Sequence, residues 1–179
     1  MESTVSNFSA DLEMAHKDEQ FICELFGANT LDYDITWVGD NKEHWHDGDI
    51  QISDGINTWY ADVKSDNTCY RTGNILAEHR VKWRGTGWTD GFMQKCHYDY
   101  VFYLSKTDKK IYIIDFAKWQ SVYTRKYKRH IYIEHNDKNG CWLQTTDGYL
   151  LQIEKAKELG VIIAEYNYDS SLNLQEKTA

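Results

Sequence analysis

Asp49, Asp62 and Lys64 are side chains whose types and spacing could do chemistry together. They stand in Gly48-Asp49-Ile50-Gln51-Ile52-Ser53-Asp54-Gly55-Ile56-Asn57-Thr58-Trp59-Tyr60-Ala61-Asp62-Val63-Lys64, where Asp54-Gly55 is a hairpin-turn signal between two short runs. Strand side chains point to opposite faces with period two. Asp62 and Lys64 therefore share a face, about 7 Å apart along the strand, and Trp59, Ala61 and Val63 take the other. On the incoming strand Asp49 and Gln51 share a face, opposite to Ile50 and Ile52. Paired strands bring two carboxylates and an ammonium to one spot. Carboxylates suit hard divalent cations, and a nearby lysine can position or activate an attacking water. The plain alternative is an exposed hairpin with solvated charges, because Asp-x-Lys alone recurs by chance.

The elements that must position these groups begin with residues 9–26, which read as an amphipathic helix. Ser9 is the N-cap, and Asp11 and Glu13 sit in the first turn. Leu12, Ala15, Ile22, Cys23 and Phe26 form the apolar stripe, and Gly27 is the stop. At about 100° per residue, Glu19 falls inside that stripe, whereas Glu13, Asp18 and Glu24 fall off it. A glutamate facing a core is costly unless paired or metal-bound. Further strands are expected at 33–38 and, as a third strand of the hairpin's ladder, at 74–81, with Leu76, Glu78 and Arg80 on one face. A Gly- and Trp-rich loop at 82–91, a short helix at 90–97 and a hairpin of 98–104 with 110–115 follow. Then come a helix at 116–127, strands at 131–135 and 141–145, and a helix at 152–159 stopped by Gly160. This pattern predicts an α/β fold, with a mixed central β-sheet flanked by helices in a single domain over 1–167. Residues 168–179 are expected to be a flexible C-terminal tail.

A core-facing helix glutamate, an Asp at a strand start and Asp-x-Lys on the neighbouring apolar strand together resemble the PD-(D/E)xK nuclease superfamily. That superfamily includes restriction endonucleases, archaeal Holliday-junction resolvases and many phage-borne nucleases. Glu19 matches the helix acid, with Glu13 as the alternative, Asp49 matches the strand start, and Asp62-Val63-Lys64 matches the third motif. Thr72-Gly73-Asn74-Ile75-Leu76-Ala77-Glu78 looks like a segment of phage-borne members in which a glutamate follows the catalytic strand. Gln94 or Lys95 fits a polar position on a later helix. The resemblance spans 13–104, and Gly48 stands where the family name has proline.

The resemblance implies a restriction-endonuclease-like fold and metal-dependent hydrolysis of phosphodiester bonds, in DNA rather than RNA. Asp49 and Asp62 would hold Mg²⁺, or Mn²⁺ as substitute, with the Val63 backbone carbonyl, and Glu19 would bind directly or through a water. Lys64 would orient the nucleophilic water or stabilise charge growing on the phosphate. Many members work as dimers, since a duplex has two strands to cut, which makes a homodimer one option. The same fold without catalysis, as a binding or inhibitor protein of a phage or mobile element, is the first alternative.

The run His44-Trp45-His46-Asp47-Gly48-Asp49 carries a second alternative, a zinc-binding hydrolase in which His44 and His46 form a ligand pair. It also reads as a polar loop, or as a loop that sets His44 or His46 beside the scissile phosphate. Arg125, Lys126, Lys128 and Arg129, interleaved with Tyr127, suit a phosphate backbone and a stacked base, as do Lys82 and Arg84. The former run reads equally as a solvated helix end. Trp83-Arg84-Gly85-Thr86-Gly87-Trp88 lacks the Gly-Lys-Ser/Thr ending of a phosphate-cradling loop.

With 179 residues, 41% of them hydrophobic and 15% aromatic, the chain can build one core of ordinary size. Its net charge of −8 disfavours non-specific binding to nucleic acid, although a cluster of metal-binding carboxylates inflates the negative count. Cys23, Cys69, Cys96 and Cys141 are too scattered for a zinc finger and read as free thiols of a reducing cytosol. The N-terminus lacks signal-peptide character and no apolar run is long enough to span a bilayer. The expected location is cytoplasmic, in a bacterial host cell if phage-borne, with no membrane partner.

Overall fold

The computed structural model describes residues 8–39, 47–123, 129–136 and 141–177, with the side chains of 8–12 and 136 left aside. In chain order the elements begin α1 (Phe8–Asn29), β1 (Asp34–Trp37), β2 (Ile50–Ser53), β3 (Thr58–Ser65), α2 (Cys69–Thr72), β4 (Asn74–Trp83), β5 (Trp88–Asp90) and α3 (Phe92–Lys95). They continue with β6 (Tyr100–Ser105), β7 (Lys110–Asp115), α4 (Phe116–Val122), β8 (Arg129–Asn136), β9 (Trp142–Gln152), α5 (Ile153–Glu158), β10 (Ile162–Tyr168) and β11 (Leu174–Glu176). α1 outlasts the expected stop at Gly27. Asn29 Nδ2 and Thr30 Oγ1 donate to the carbonyls of Leu25 and Phe26, at 2.7 and 3.0 Å, and so satisfy the last turn.

The chain is a single α/β domain. Its mixed central sheet has seven strands in the order β1-β2-β3-β6-β7-β10-β11. β3 and β6 are parallel, and the other neighbours are antiparallel. Asp54 makes the β2–β3 turn by accepting from the backbone N–H groups of Ile56 and Asn57, at 2.8 and 2.6 Å. The centre of the sheet is covered on both faces, so β6 reads as a continuous apolar run rather than an alternating one. Phe102 and Leu104 pack with Ile22, Leu25 and Phe26 of α1. Val101 and Tyr103 point the other way, into a core with Ile75, Ala77, Phe116, Trp119 and Leu151. That core joins the central sheet to a second, four-stranded antiparallel sheet in the order β5-β4-β9-β8.

The second sheet corrects three expectations. The strand at 74–81 exists as β4, but it pairs with β9 and β5 instead of extending the hairpin's ladder. Asp66 and the one-turn helix α2 divert the chain: Asp66 Oδ1 accepts from Thr68 N at 2.6 Å and from Cys69 N at 3.1 Å. The presumed loop at 82–91 is a hairpin of β4 and β5, with Lys82 opposite Trp88. The strand at 141–145 extends to Gln152, because β9 runs the length of β4.

The stretch expected as a tail contains β11, paired to β10 at the sheet edge. Asn29 holds it from the end of α1, accepting from Leu174 N at 3.3 Å and donating to Leu172 O at 2.7 Å. All four cysteines are free thiols. Among the described residues no helix is long and apolar enough to cross a membrane.

Candidate active site

The β2–β3 register sets the geometry. Ile50 lies opposite Ala61 and Gln51 opposite Tyr60, and one further step brings Asp49 beside Asp62. Gly48 makes that step possible. Its φ is +128°, and a Cβ there would meet the Ala61 carbonyl oxygen at 2.5 Å, so a glycine is needed for the close approach. Asp49 N then donates to Ala61 O at 2.9 Å. On β3, Ala61 joins the core beneath α1, while Asp62 and Lys64 lie beside Val101 and Tyr103 of β6. Period two in β3 thus aims an acid and a base into the space between the two sheets.

That space is a cavity of about 580 Å³ lined by Glu19, Asp49, Asp62, Val63, Lys64 and Glu78, among others. Asp62 is 4% exposed. Its Oδ2 lies 2.7 Å from Lys64 Nζ, but off hydrogen-bond geometry, so this buried oxygen lacks a hydrogen-bond donor among the described residues. Asp49 hydrogen-bonds to Asp62 and accepts from Val63 N at 3.4 Å. Burial, the charges of Asp62 and Glu19, and the hydrogen bond to Asp62 push the Asp49 carboxyl up to about 8. Burial also raises Glu19 and Glu78 above the usual carboxylate range. For Lys64 burial acts to lower the pKa, but Asp62, Asp49 and Glu78 outweigh it, so the ammonium stays charged. It also lies over the Phe92 ring, 5.1 Å from the centroid.

Glu19 does sit among core residues, at 6% exposure, and Trp37 Nε1 donates to its Oε2 at 2.7 Å. Gly39 lies against this pair, where a Cβ would come within 2.9 Å of Glu19 Oε2. The alternative acid, Glu13, pairs with Lys17 in solvent at 2.6 Å. Glu78 and Lys95 line the cavity. Gln94 does not, because its Nε2 donates to His79 O at 2.8 Å. His44, His46, Arg125, Lys126 and Lys128 lie outside the described residues. Lys82, Arg84 and Arg129 are not among the residues lining the cavity, and Lys82 Nζ lies 5.8 Å from the centroid of the Trp142 ring.

Sequence reasoning missed several residues of this region. Asp18 was expected off the buried stripe, yet it is only 7% exposed. Ser65 Oγ donates to it at 2.5 Å and Lys106 Nζ pairs with it at 2.7 Å. Cys96, Tyr98 and Tyr103 also line the cavity. Tyr103 OH donates to Asp66 at 2.7 Å and accepts from Leu76 N at 3.1 Å, which ties the two sheets together behind the site. Burial, with the nearby charge of Asp62, raises the Tyr98 phenol.

Among the described residues, no set of three or more His, Cys, Asp or Glu side chains closes on one point as a metal-binding group would. The donors that meet are two carboxylates, Asp49 and Asp62, the latter ion-paired through Oδ2 to Lys64. That donor set fits a magnesium ion better than zinc or calcium. Magnesium keeps several of its waters and takes one or two carboxylates, with substrate phosphates completing its shell. Comparison with known proteins finds no relative: no family model, no curated protein and no solved structure matches the chain.

Proposed function

We propose that the chain is a nuclease of the PD-(D/E)xK type that hydrolyses phosphodiester bonds with Mg²⁺, DNA being the first substrate to test. The observation that carries this reading is the buried, under-partnered Asp49–Asp62 pair beside the charged Lys64. Two carboxylates buried side by side with one lysine ion-paired to them call for an explanation. A cation is the one that also relieves the repulsion between the two acids. The restriction-endonuclease-like architecture proposed here fits the mixed sheet, with α1 on one face and the acids just before β2 and on β3.

In this reading Asp49 and Asp62 would hold the ion, with the Val63 carbonyl, and Glu19 would bind it directly or through a water. The bound ion would supply charge stabilisation on the phosphate and a more acidic water. Asp49 would have to lose its proton to serve as a ligand. Lys64, kept protonated by its acidic neighbours, donates hydrogen bonds to a phosphate oxygen or to the attacking water. Glu78 and Lys95 face the same cavity, within reach of a substrate lying in it.

The test is incubation of supercoiled, linear and single-stranded DNA with Mg²⁺, beside Lys64→Ala and Asp62→Ala. Cleavage by the wild type and none by the variants supports the reading. Equal inactivity of all three proteins on every substrate sinks it. The rival reading is the same fold as a binding or inhibitor module without catalysis. Nucleic-acid binding without cleavage in the same assay would select it.

A further inference from the structure

Beside the candidate active site lies a second cavity, of about 350 Å³, which shares Val63, Lys64 and Ser65 with the first. Its remaining wall includes Met14, Asp18, Asn67 and Lys106. Resting on the nuclease reading, we propose that this cavity seats the phosphate next to the scissile one, with the Lys106 ammonium as its anchor. The substrate is then a nucleic-acid strand that runs past Lys64, not an isolated phosphate ester.

Three observations carry the assignment. First, Lys106 is held in place from below. Its Nζ lies 2.7 Å from Asp18 Oδ1, and Asp18 is 7% exposed, with its other oxygen engaged by Ser65 Oγ at 2.5 Å. A lysine fixed by a buried carboxylate keeps further N–H donors, and it has lost less side-chain freedom to a ligand than a waving surface lysine would. Its side chain remains 30% exposed.

Second, the distance suits the polymer. Ser65 lies opposite Leu104 in the parallel β3–β6 pair, and Asp66 N donates to Leu104 O at 3.0 Å. Lys64 lies opposite Tyr103, so Lys106 stands three residues further on, in the turn after β6, no more than about 10 Å beyond Lys64 along the strand direction. A flexible four-carbon lysine stem on each side lets the two ammonium groups meet neighbouring phosphates of one extended strand. Third, the rest of the wall is chemically suited to a nucleotide. Asn67 offers an exposed amide, and Met14, 52% exposed, gives an apolar surface for a sugar or base. Asp18 is a buried acid inside a basic contact, and its role here is to position Lys106.

Two measurements test this, both on the full chain. Binding of labelled single-stranded and duplex oligonucleotides is followed by fluorescence anisotropy across a salt series, with Ca²⁺ replacing Mg²⁺. Cleavage kinetics are measured with Mg²⁺. Lys106→Gln should weaken binding and raise KM by about tenfold, the scale of one charged hydrogen bond. It should leave kcat within about twofold and reduce the slope of log K against log salt by about one. Lys106→Arg should restore most of the loss, and Lys118→Gln on the exposed face of α4 should change nothing. Asp18→Asn combined with Lys106→Gln removes the stranded buried acid, so a folding defect is told apart from a lost contact. An unchanged KM, affinity and salt slope in a folded Lys106 variant overturns the subsite while leaving the nuclease reading intact. A wild type that neither cleaves nor binds overturns both, and one that binds without cleaving still tests Lys106 through affinity and salt slope.

Discussion

Two buried aspartates in this molecule have opposite fates. Asp147 on β9 is 1% exposed and fully partnered: Arg80 donates through Nε at 3.0 Å and Nη2 at 2.5 Å, and His130 Nε2 contacts its other oxygen. Against the cost of burial, the hydrogen bonds to Arg80 and His130 hold its carboxyl below the ordinary value. Asp49 beside Asp62 is pushed the other way, up to about 8. Burial is common to both sites, so the partners decide the outcome. A carboxylate given donors on both oxygens is a structural joint, and here it ties β4, β8 and β9 together. Acids set against each other with Lys64 beside them are, in the proposed reading, a place for a metal cation.

The largest expected effect separates these sites by activity. Lys64→Ala and Asp62→Ala should each lower single-turnover cleavage by about a thousandfold or more, while Arg80→Ala stays within a few fold. Comparable losses at Arg80 would erase the distinction between joint and centre. Next comes the backbone device. Gly48→Ala forces a side chain into a positive-φ site 2.5 Å from the Ala61 carbonyl. It should destabilise the fold by about 2–4 kcal/mol in urea melts and weaken metal-dependent activity as Asp49 moves from Asp62. A protein with wild-type stability after that change would show that the close approach is not required.

Stability itself should respond in opposite directions. Asp147→Ala should cost about 1–3 kcal/mol, tempered because Arg80 and His130 can turn to water. Asp49→Asn, a neutral isostere of the protonated carboxyl, should leave the metal-free protein about as stable near neutral pH and more stable above pH 8. Equal losses in the two melts would count against the comparison.

The smallest effect is the pH dependence, and its sign differs between the sites. In the metal-free protein Asp49 holds its proton up to about pH 8, against an ordinary value of 3.8, so the folded state binds that proton more tightly than the unfolded chain. Its contribution to stability is complete below about pH 4 and is lost as pH rises toward 8. Asp147, with a lowered pKa, contributes above its ordinary value, and that contribution is lost as pH falls through its folded value. Thermal melts between pH 5 and pH 8 should therefore show a decline that Mg²⁺ reverses and Asp49→Asn flattens.

Much of the central sheet could be read from the chain because its signals are local. Asp54-Gly55 sets the hairpin, and alternation sets which residues of β3 face α1. The helical period put Glu19 among buried residues, where Trp37 meets it. What could not be read depends on partners distant in sequence. Asp18 looked solvent-facing by helical angle because its partners, Ser65 and Lys106, come from β3 and the β6–β7 turn. β4 gave a correct strand signal and a wrong neighbour, since alternation says nothing about which sheet a strand joins. β11 has little apolar pattern of its own and is held by Asn29, far away in sequence. For the candidate site, residue types and order were legible, but the close approach at Gly48 and the second cavity were not.

The central claim is that the Asp49–Asp62 pair is a cation site kept ready by mutual repulsion. Calorimetric titration of Mg²⁺ into the protein at pH 7, repeated in buffers of different ionisation enthalpy, tests it directly. One ion should bind with release of about one proton, and Asp49→Asn should abolish the proton release and weaken the binding. Absence of Mg²⁺ binding, or binding without a proton and unchanged by Asp49→Asn, would contradict it.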